Sequence, residues 1–501
     1  MKLNSITLKS VFPALNLIKL STGNKISEKI AAVFLKFLEK RFQGQLLLEA
    51  PPTLLKIPSG LWPAVAAASR IKSLGAIENE KLPPLPDEPF LYKYWTKING
   101  QGFGSGADFL SEASALWRST AEGIERHLWR TSDDFYRKKT TYATYGNLEK
   151  TALDIFSLAG FSAKDKEESA ILSFDKNSPF GWLKAISLLS GKKIYCPVQL
   201  LSHHYSKLRV ANLDNPQGSE ALLRWPVSTG LATGRSLPEA LTKGILEIIE
   251  RDAIMITYLN KLSPPRINLD HLSEQDEDIK KILKSFRRCQ LKVTLLQIPT
   301  DWPVFVALAL VTDELGAAPA LTVGASADFN IKNCLLDALT EALSLRLALK
   351  NDPVFFEKNF DPKNINREGR LFYWSRPENL PKINFLFQGE TKKIELPDKK
   401  NFFEPSADEK NDNYKIYYSE KLEELKEALR QLNYDGCYAK ISPPEIERTG
   451  LYCAVTVIPE LQPMHIDESL PYFSGQRLKE IPLKLGYQPA EKINIEPHPF
   501  P

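Results

Sequence analysis

The stretch ILEIIERDAI (Ile245–Ile254) constrains this chain most: it has helical character and is apolar on nearly every face, yet it carries Glu247, Glu250 and Arg251. A helix that is apolar all round belongs in the interior of a fold. Carboxylates placed there are costly unless they are paired or bound to a cation. The stretch therefore predicts a central helix, enclosed by other elements, whose acidic residues answer to charge brought from elsewhere. The same E-x-x-E-R string occurs earlier, in TAEGIERHLW, as Glu122, Glu125 and Arg126. Residues three and four apart share a helix face, so each copy presents two carboxylates and a guanidinium side by side. The ordinary use of such a string is an exposed ion pair, which suits the first copy better than the second.

Both copies close passages built to one plan. GFGSGADFLSEASALWRSTAEGIERHLW reads as a glycine turn feeding a helix, with Leu110, Ala113, Trp117, Ala121, Ile124 and Leu128 at helical spacing. STGLATGRSLPEALTKGILEIIERDAIMITYL follows the same course, with Gly230 and Gly234, Ser236 as N-cap, Pro238 in the first turn and Glu239 three residues past the cap. Capping is the ordinary role of Glu239. A third helix, NCLLDALTEALSLRLALK, sets Glu341 and Arg346 among Leu339, Ala342, Leu343, Leu345 and Leu347. LKVTLLQI, PVFVALALV and PALTVGAS read as strands, the last two forming a hairpin around Asp313 to Ala318. Two further strands, YDGCYAKI and LYCAVTVI, follow the helix EKLEELKEALRQL.

Residues 1–60 read as a small N-terminal extension with a helix at Ser27 to Phe42, and residues 61–501 as the main domain. Residues 352–418, rich in Lys, Asp, Asn, Pro and aromatics without periodicity, read as an irregular surface insertion.

Several function classes are excluded. A net charge of +4 from 65 basic and 61 acidic residues, with no basic block, argues against a nucleic-acid partner. Five scattered cysteines without C-x-x-C spacing fit a reducing cytoplasm and no zinc site. The chain shows neither a signal peptide nor a membrane span, and a cytoplasmic location is expected. G-x-x-x-x-G-K-[ST], H-E-x-x-H, G-x-S-x-G and the kinase motifs do not occur, and His203 and His204 read as loop residues. Two carboxylates suffice for a glycosidase, so a repeated pair with arginines attached is poorly matched to that chemistry. Oxygen ligands for Mg2+ and guanidinium forks for phosphate oxygens suit a nucleoside triphosphate better.

GFGSGADFLSEASALWRSTAEGIER, STGLATGRSLPEALTKGILEIIERDA, ALTEALSLR, TVIPELQPMH, SGQRL and the final PHPFP, in that order, resemble the YcaO family from about residue 60 onward. The resemblance implies an α+β fold with mixed and antiparallel sheets, and helices carrying an ATP and Mg2+ site between them. It implies nucleotide-binding roles for Glu122, Glu125, Arg126, Glu239, Glu247, Glu250, Arg251, Glu341 and Arg346, with Glu122, Glu125, Glu247 and Glu250 as metal ligands. Three positions depart from the pattern: Ser105 stands where lysine is common, Ser344 where glutamine is frequent, and Glu460 where glycine is usual.

Azoline-forming members end in P-x-P-x-P, matched here by Pro497, Pro499 and Pro501 over residues 497–501. A polyproline arm advances about 3.1 Å per residue and holds its end with little entropy loss. The resemblance implies a cyclodehydratase: a Cys, Ser or Thr side chain of a ribosomally made precursor peptide attacks the preceding carbonyl, ATP phosphorylates the adduct's oxygen, and a thiazoline or oxazoline ring closes. The Pro501 carboxylate is the expected catalytic group, accepting a proton from the adduct or positioning it. Thioamide or amidine formation, and a noncatalytic ATP-binding or peptide-recruiting subunit, are the rival readings. The expected partners are the precursor peptide and a separate leader-peptide-binding protein of the ubiquitin-activating-enzyme (E1-like) kind, with a homodimer open.

Overall fold

The computed structural model describes residues 62–500 apart from 133–135, 137, 204, 206–208, 211–219, 353–354, 358–364 and 398–412. The extension expected over residues 1–60 lies outside the described residues, and so does Pro501.

Strands β1 (Ile77–Lys81), β2 (Tyr92–Ile98) and β3 (Gln101–Asp108) form an antiparallel sheet in that order, and helix α1 (Glu112–Thr131) packs on it. Next come β4 (Thr141–Thr144), β5 (Pro179–Ser187), β6 (Lys193–Pro197), β7 (Leu231–Gly234) and helix α2 (Leu237–Leu259). After them stand β8 (Arg266–Ile267), β9 (Leu291–Ile298), β10 (Phe305–Asp313), β11 (Leu321–Asp328) and helix α3 (Ile331–Lys350). Helix α4 (Arg367–Trp374), β12 (Thr391–Lys392), helix α5 (Asn413–Leu432), β13 (Cys437–Lys440) and β14 (Tyr452–Val457) complete the sheets and their main cover. One sheet runs β4-β5-β13-β14-β7 with β6 beside β5, and another β11-β10-β9-β8-β12. The pairings between these strands are antiparallel except for the parallel pair β12–β8, which gives an α+β fold with mixed sheets.

Helix α2 occupies the centre that its composition demands. It packs on β7 and β14 of one sheet, on β11, β10 and β9 of the other, and along α5. The Ser236 hydroxyl caps it by accepting from the Glu239 N–H at 3.3 Å. Strand β10 shows how the layers share one apolar run. Val306, Leu308 and Leu310 join the core around α2, while Ala307, Ala309 and Val311 face the core around α3. Alternate residues of a strand point to opposite faces, so a strand covered on both sides is apolar throughout.

Two expectations are corrected. The glycines of GFGSG lie within strand β3 and do not form a turn. A Cβ on Gly104 would stand 2.0 Å from the Ser119 carbonyl oxygen, and one on Gly106 2.1 Å from that of Ala115. These glycines thus let the strand backbone meet the α1 backbone directly, a spacing that turn composition imitates.

The second correction concerns residues 352–418, where the described part is not a surface insertion. Trp374, Ile383 and Leu386 belong to the core around α2, and β12 extends a sheet. The apolar positions there are divided between α4 and the 3-10 stretch Pro377–Phe387, and neither is long enough to show a helical period.

Candidate functional site

Three strand–helix pairs, β3–α1, β7–α2 and β11–α3, each deliver a glutamate in the same way. Glu122, Glu247 and Glu341 are each the eleventh residue of their helix, counting from Glu112, Leu237 and Ile331. In each case a carboxylate oxygen accepts from a backbone N–H of the preceding strand or its approach. Ser105 donates to Glu122 at 2.9 Å, Gly230 to Glu247 at 3.2 Å and Ala325 to Glu341 at 2.6 Å. Glycine again permits the approach. A Cβ on Gly234 would stand 2.6 Å from the Ala240 nitrogen, and one on Gly324 2.3 Å from the Ala342 nitrogen. The main chain therefore fixes one carboxylate on each helix, and its helix neighbours follow.

The three helices converge. Thr233 on β7 donates to Glu125 on α1 at 3.2 Å. Burial first, with repulsion from Glu122 and Glu247, raises Glu125 from 4.5 to about 8. Burial followed by repulsion from Glu341 raises Glu250 to about 8. Glu247 and Glu341 are raised as well, burial being the largest cause. Five carboxylates thus crowd one place, and four of them, Glu125, Glu247, Glu250 and Glu341, hold protons that exposed ones would lose. The two arginines of the repeated string stand among them. Arg126 donates to Glu122 at 3.1 Å, and Arg251 lies 3.4 Å from Glu247. The buried Nε atoms of both arginines nevertheless lack a hydrogen-bond acceptor.

Two sequence-predicted residues stand apart. The Arg346 side chain is 2% exposed and fully engaged: Nε reaches both oxygens of Glu88, Nη1 the Pro319 carbonyl at 2.7 Å and Nη2 Asp313 at 2.7 Å. It is a buried cross-brace, because five residues beyond Glu341 the helix surface faces the hairpin side. Glu239 is likewise occupied. It accepts from Tyr414, from Lys243 at 2.8 Å and from the Arg235 N–H at 2.7 Å, a capping position as its spacing implied.

Two residues near the cluster were not anticipated. Arg367, the first residue of α4, lies within the field of Arg126, Arg251, Glu122 and Glu341; partial desolvation and the two arginines lower its pKa. Lys93 on β2 is 3% exposed and sits beside Glu122, with burial lowering it to about 8. Arg367 lies in a segment without periodicity. Lys93 looks like an outward-facing strand residue, and a register shift at Thr96/Lys97 breaks the alternation that would reveal otherwise.

The chain's last described residues reach the same region. Pro497, His498, Pro499 and Phe500 are all buried. The Pro497 carbonyl accepts from Tyr258 at 2.8 Å and from Trp374 at 2.9 Å. His498 is bonded to the His465 carbonyl at 2.8 Å and kept neutral by burial, then by Arg370 and His465. His465, Glu468 and His498 have ligand atoms within 4.8 Å of one another. Arg370, however, donates to Glu468 at 3.3 Å and to the His465 carbonyl at 3.1 Å, so the group acts as a clasp on the arm and is a poor cation site. Pro501, predicted as the catalytic group, lies outside the described residues.

The donor set fits Mg2+ and a nucleotide. Crowded carboxylate oxygens supply what Mg2+ takes, and guanidinium nitrogens without acceptors suit phosphate oxygens.

A family model described as YcaO cyclodehydratase, ATP- and Mg2+-binding, matches residues 104–462. An uncharacterised protein of Methanothermobacter thermautotrophicus is 29% identical over 182 residues, which is 36% of this chain and 45% of that protein. A solved heterocyclase in complex with substrate and cofactor superposes with a TM-score of 0.66 at 19% identity, over 87% of this chain and 57% of its own. YcaO from Methanopyrus kandleri, bound with AMPPCP and Mg2+, gives 0.54 at 15% identity, over 78% of this chain and 87% of its own. The match thus spans less than half of the first relative and little more than half of the heterocyclase. At these identities the two structural likenesses are likenesses of fold.

Proposed function

The chain belongs to the YcaO family, whose members bind ATP and Mg2+, and from that premise we propose that it cyclodehydrates Cys, Ser or Thr residues of a ribosomally made precursor peptide to thiazolines or oxazolines. The observation that carries this reading is the convergence of Glu122, Glu125, Glu247, Glu250 and Glu341, with Arg126 and Arg251, beside a seated C-terminal arm.

In this reading Glu122, Glu125, Glu247 and Glu250 hold the metal through carboxylate oxygens, and Arg126 and Arg251 fork onto phosphate oxygens. Bound Mg·ATP supplies the phosphoryl group that makes the amide oxygen a good leaving group. The protein's own work is placement. Each helix presents its carboxylate from a fixed main-chain bond, so charge is arranged before substrate arrives. The arm from Pro497 to Phe500 excludes water on one side and directs the chain toward Pro501. In this reading a carboxylate at Pro501 accepts the proton released as the side chain attacks, or positions the adduct. A separate leader-peptide-binding protein of the E1-like kind presents the substrate, and the reaction runs in the cytoplasm. Among the described residues no helix is long and apolar enough to cross a membrane.

The test combines purified protein, Mg·ATP, the candidate precursor and its partner, read by mass spectrometry. Loss of about 18 Da per ring with matched phosphate release supports the azoline reading. Replacement of oxygen by sulfur, a gain of about 16 Da, points to thioamide formation. Nucleotide binding without peptide-stimulated phosphate release returns the chain to a recruiting role.

A further inference from the structure

Lys93 is a lysine in an unusual position. Its ammonium is buried, and its hydrogen bonds go to neutral groups: the Ser344 carbonyl at 2.8 Å, the Ser344 hydroxyl, and Ser105 Oγ at 3.5 Å. No carboxylate among the described residues comes within ion-pair distance of it, and Glu122 is the one acid whose field it feels. A buried charge without a counter-ion is among the costliest features a fold can keep. If its task were only to tie β2 to α3, a neutral side chain would serve without that cost.

The surroundings explain the charge. Ser105 donates its N–H to Glu122, so the ammonium stands at the edge of the carboxylate cluster. Both serines are small, and hydroxyls hold an ammonium without neutralising it. Ser105 and Ser344 are also two of the three positions at which this sequence departs from the pattern it otherwise follows, and the structure joins them through one side chain.

We propose that Lys93 is a phosphate-binding residue of this site, its ammonium parked on Ser344 and Ser105 and exchanging a serine contact for anionic oxygens of the bound nucleotide. This rests on the nucleotide site proposed above. A flexible four-carbon stem with three rotatable donors suits such an exchange.

The experiment measures Mg·ATP and adenosine binding by titration calorimetry for the wild type, Lys93→Met, and the double variant Lys93→Met with Ser105→Lys. The expected result is a loss of at least about tenfold in Mg·ATP affinity for Lys93→Met, unchanged adenosine affinity, and recovery in the double variant, whose new lysine starts from the serine that Lys93 approaches. Equal loss of Mg·ATP and adenosine, or no loss in folded protein, overturns the proposal and leaves the site reading intact. Failure of the wild type to bind Mg·ATP overturns both. If Lys93→Met does not fold, Lys93→Gln, which retains donors for Ser344, is put through the same titrations with the same outcomes.

Discussion

Tyr258, on the central helix that carries Glu247 and Glu250, donates its hydroxyl to the carbonyl of Pro497 at 2.8 Å. One side chain thus ties the C-terminal arm to the helix at the heart of the acidic cluster. Trp374 donates to the same carbonyl at 2.9 Å, so that oxygen is doubly held in a buried setting.

Removing both donors, by Tyr258→Phe with Trp374→Phe, strands a buried acceptor and costs about 1–3 kcal/mol by urea denaturation. The arm then loosens, and peptide-dependent ATP turnover falls roughly 10- to 100-fold, as for small displacements of positioned groups. Mg·ATP affinity stays near the wild type's. An equal fall in both would mean that the arm supports the nucleotide site and not the peptide step.

Adding a single residue beyond Pro501 abolishes ring formation and leaves Mg·ATP binding in place. Undiminished ring formation, read by mass, removes Pro501 from the mechanism.

The acidic cluster makes the unliganded protein sensitive to alkali. Glu125 and Glu250 titrate at about 8 in the folded chain against 4.5 ordinarily, so between those values the folded state binds more protons than the unfolded one. Their contribution to stability is full below about pH 4.5 and is lost as pH rises through about 8. The melting temperature without ligand should therefore fall across that window, and Mg·ATP should restore it at pH 8. Glu250→Gln should gain on the order of 1 kcal/mol at pH 8 without ligand while losing Mg-dependent turnover. A melting curve indifferent to pH from 5 to 9 would contradict the crowding.

Arg346→Ala uncovers the buried acids Glu88 and Asp313, whose side chains are 1% and 7% exposed. The expected cost is about 3–5 kcal/mol, the range for breaking a buried pair by removing one partner. Calorimetry on the folded fraction should show unchanged nucleotide affinity, the reverse of what an arginine in contact with phosphate would give.

Gly104→Ala forces a methyl group to within 2.0 Å of the Ser119 carbonyl oxygen, which is backbone and cannot swing aside. Strand β3 must lift from α1, at about 1–3 kcal/mol or more. The Ser105–Glu122 bond opens with it, so weaker Mg·ATP binding should accompany the lower denaturation midpoint.

Much of this was legible from residue order. An apolar helix holding two glutamates and an arginine had to lie inside, and α2 lies between two sheets. Short apolar runs bounded by turn residues located β9, β10 and β11, and Ser236 was readable as a cap. The glycines were misread because turn-formers and close-packing glycines look alike in sequence; only the Ala115 and Ser119 backbones opposite them tell the two apart. Arg346 was misassigned because an arginine in apolar company suits a buried brace as well as a ligand contact. Glu88 and Asp313, which decide the matter, lie far away in the chain. Lys93 and Arg367 were missed for a related reason: each acquires its meaning from side chains on other elements.

The three backbone bonds to Glu122, Glu247 and Glu341 come from separate stretches of the polypeptide, the first near its start and the last well past its middle. A nascent or partly unfolded chain can form one or two of these strand–helix units but never the whole carboxylate ring. The full carboxylate cluster is then assembled all at once, by completion of the fold. If the proposed function holds, an unfinished or damaged copy lacks the complete site and stays silent toward the nucleotide.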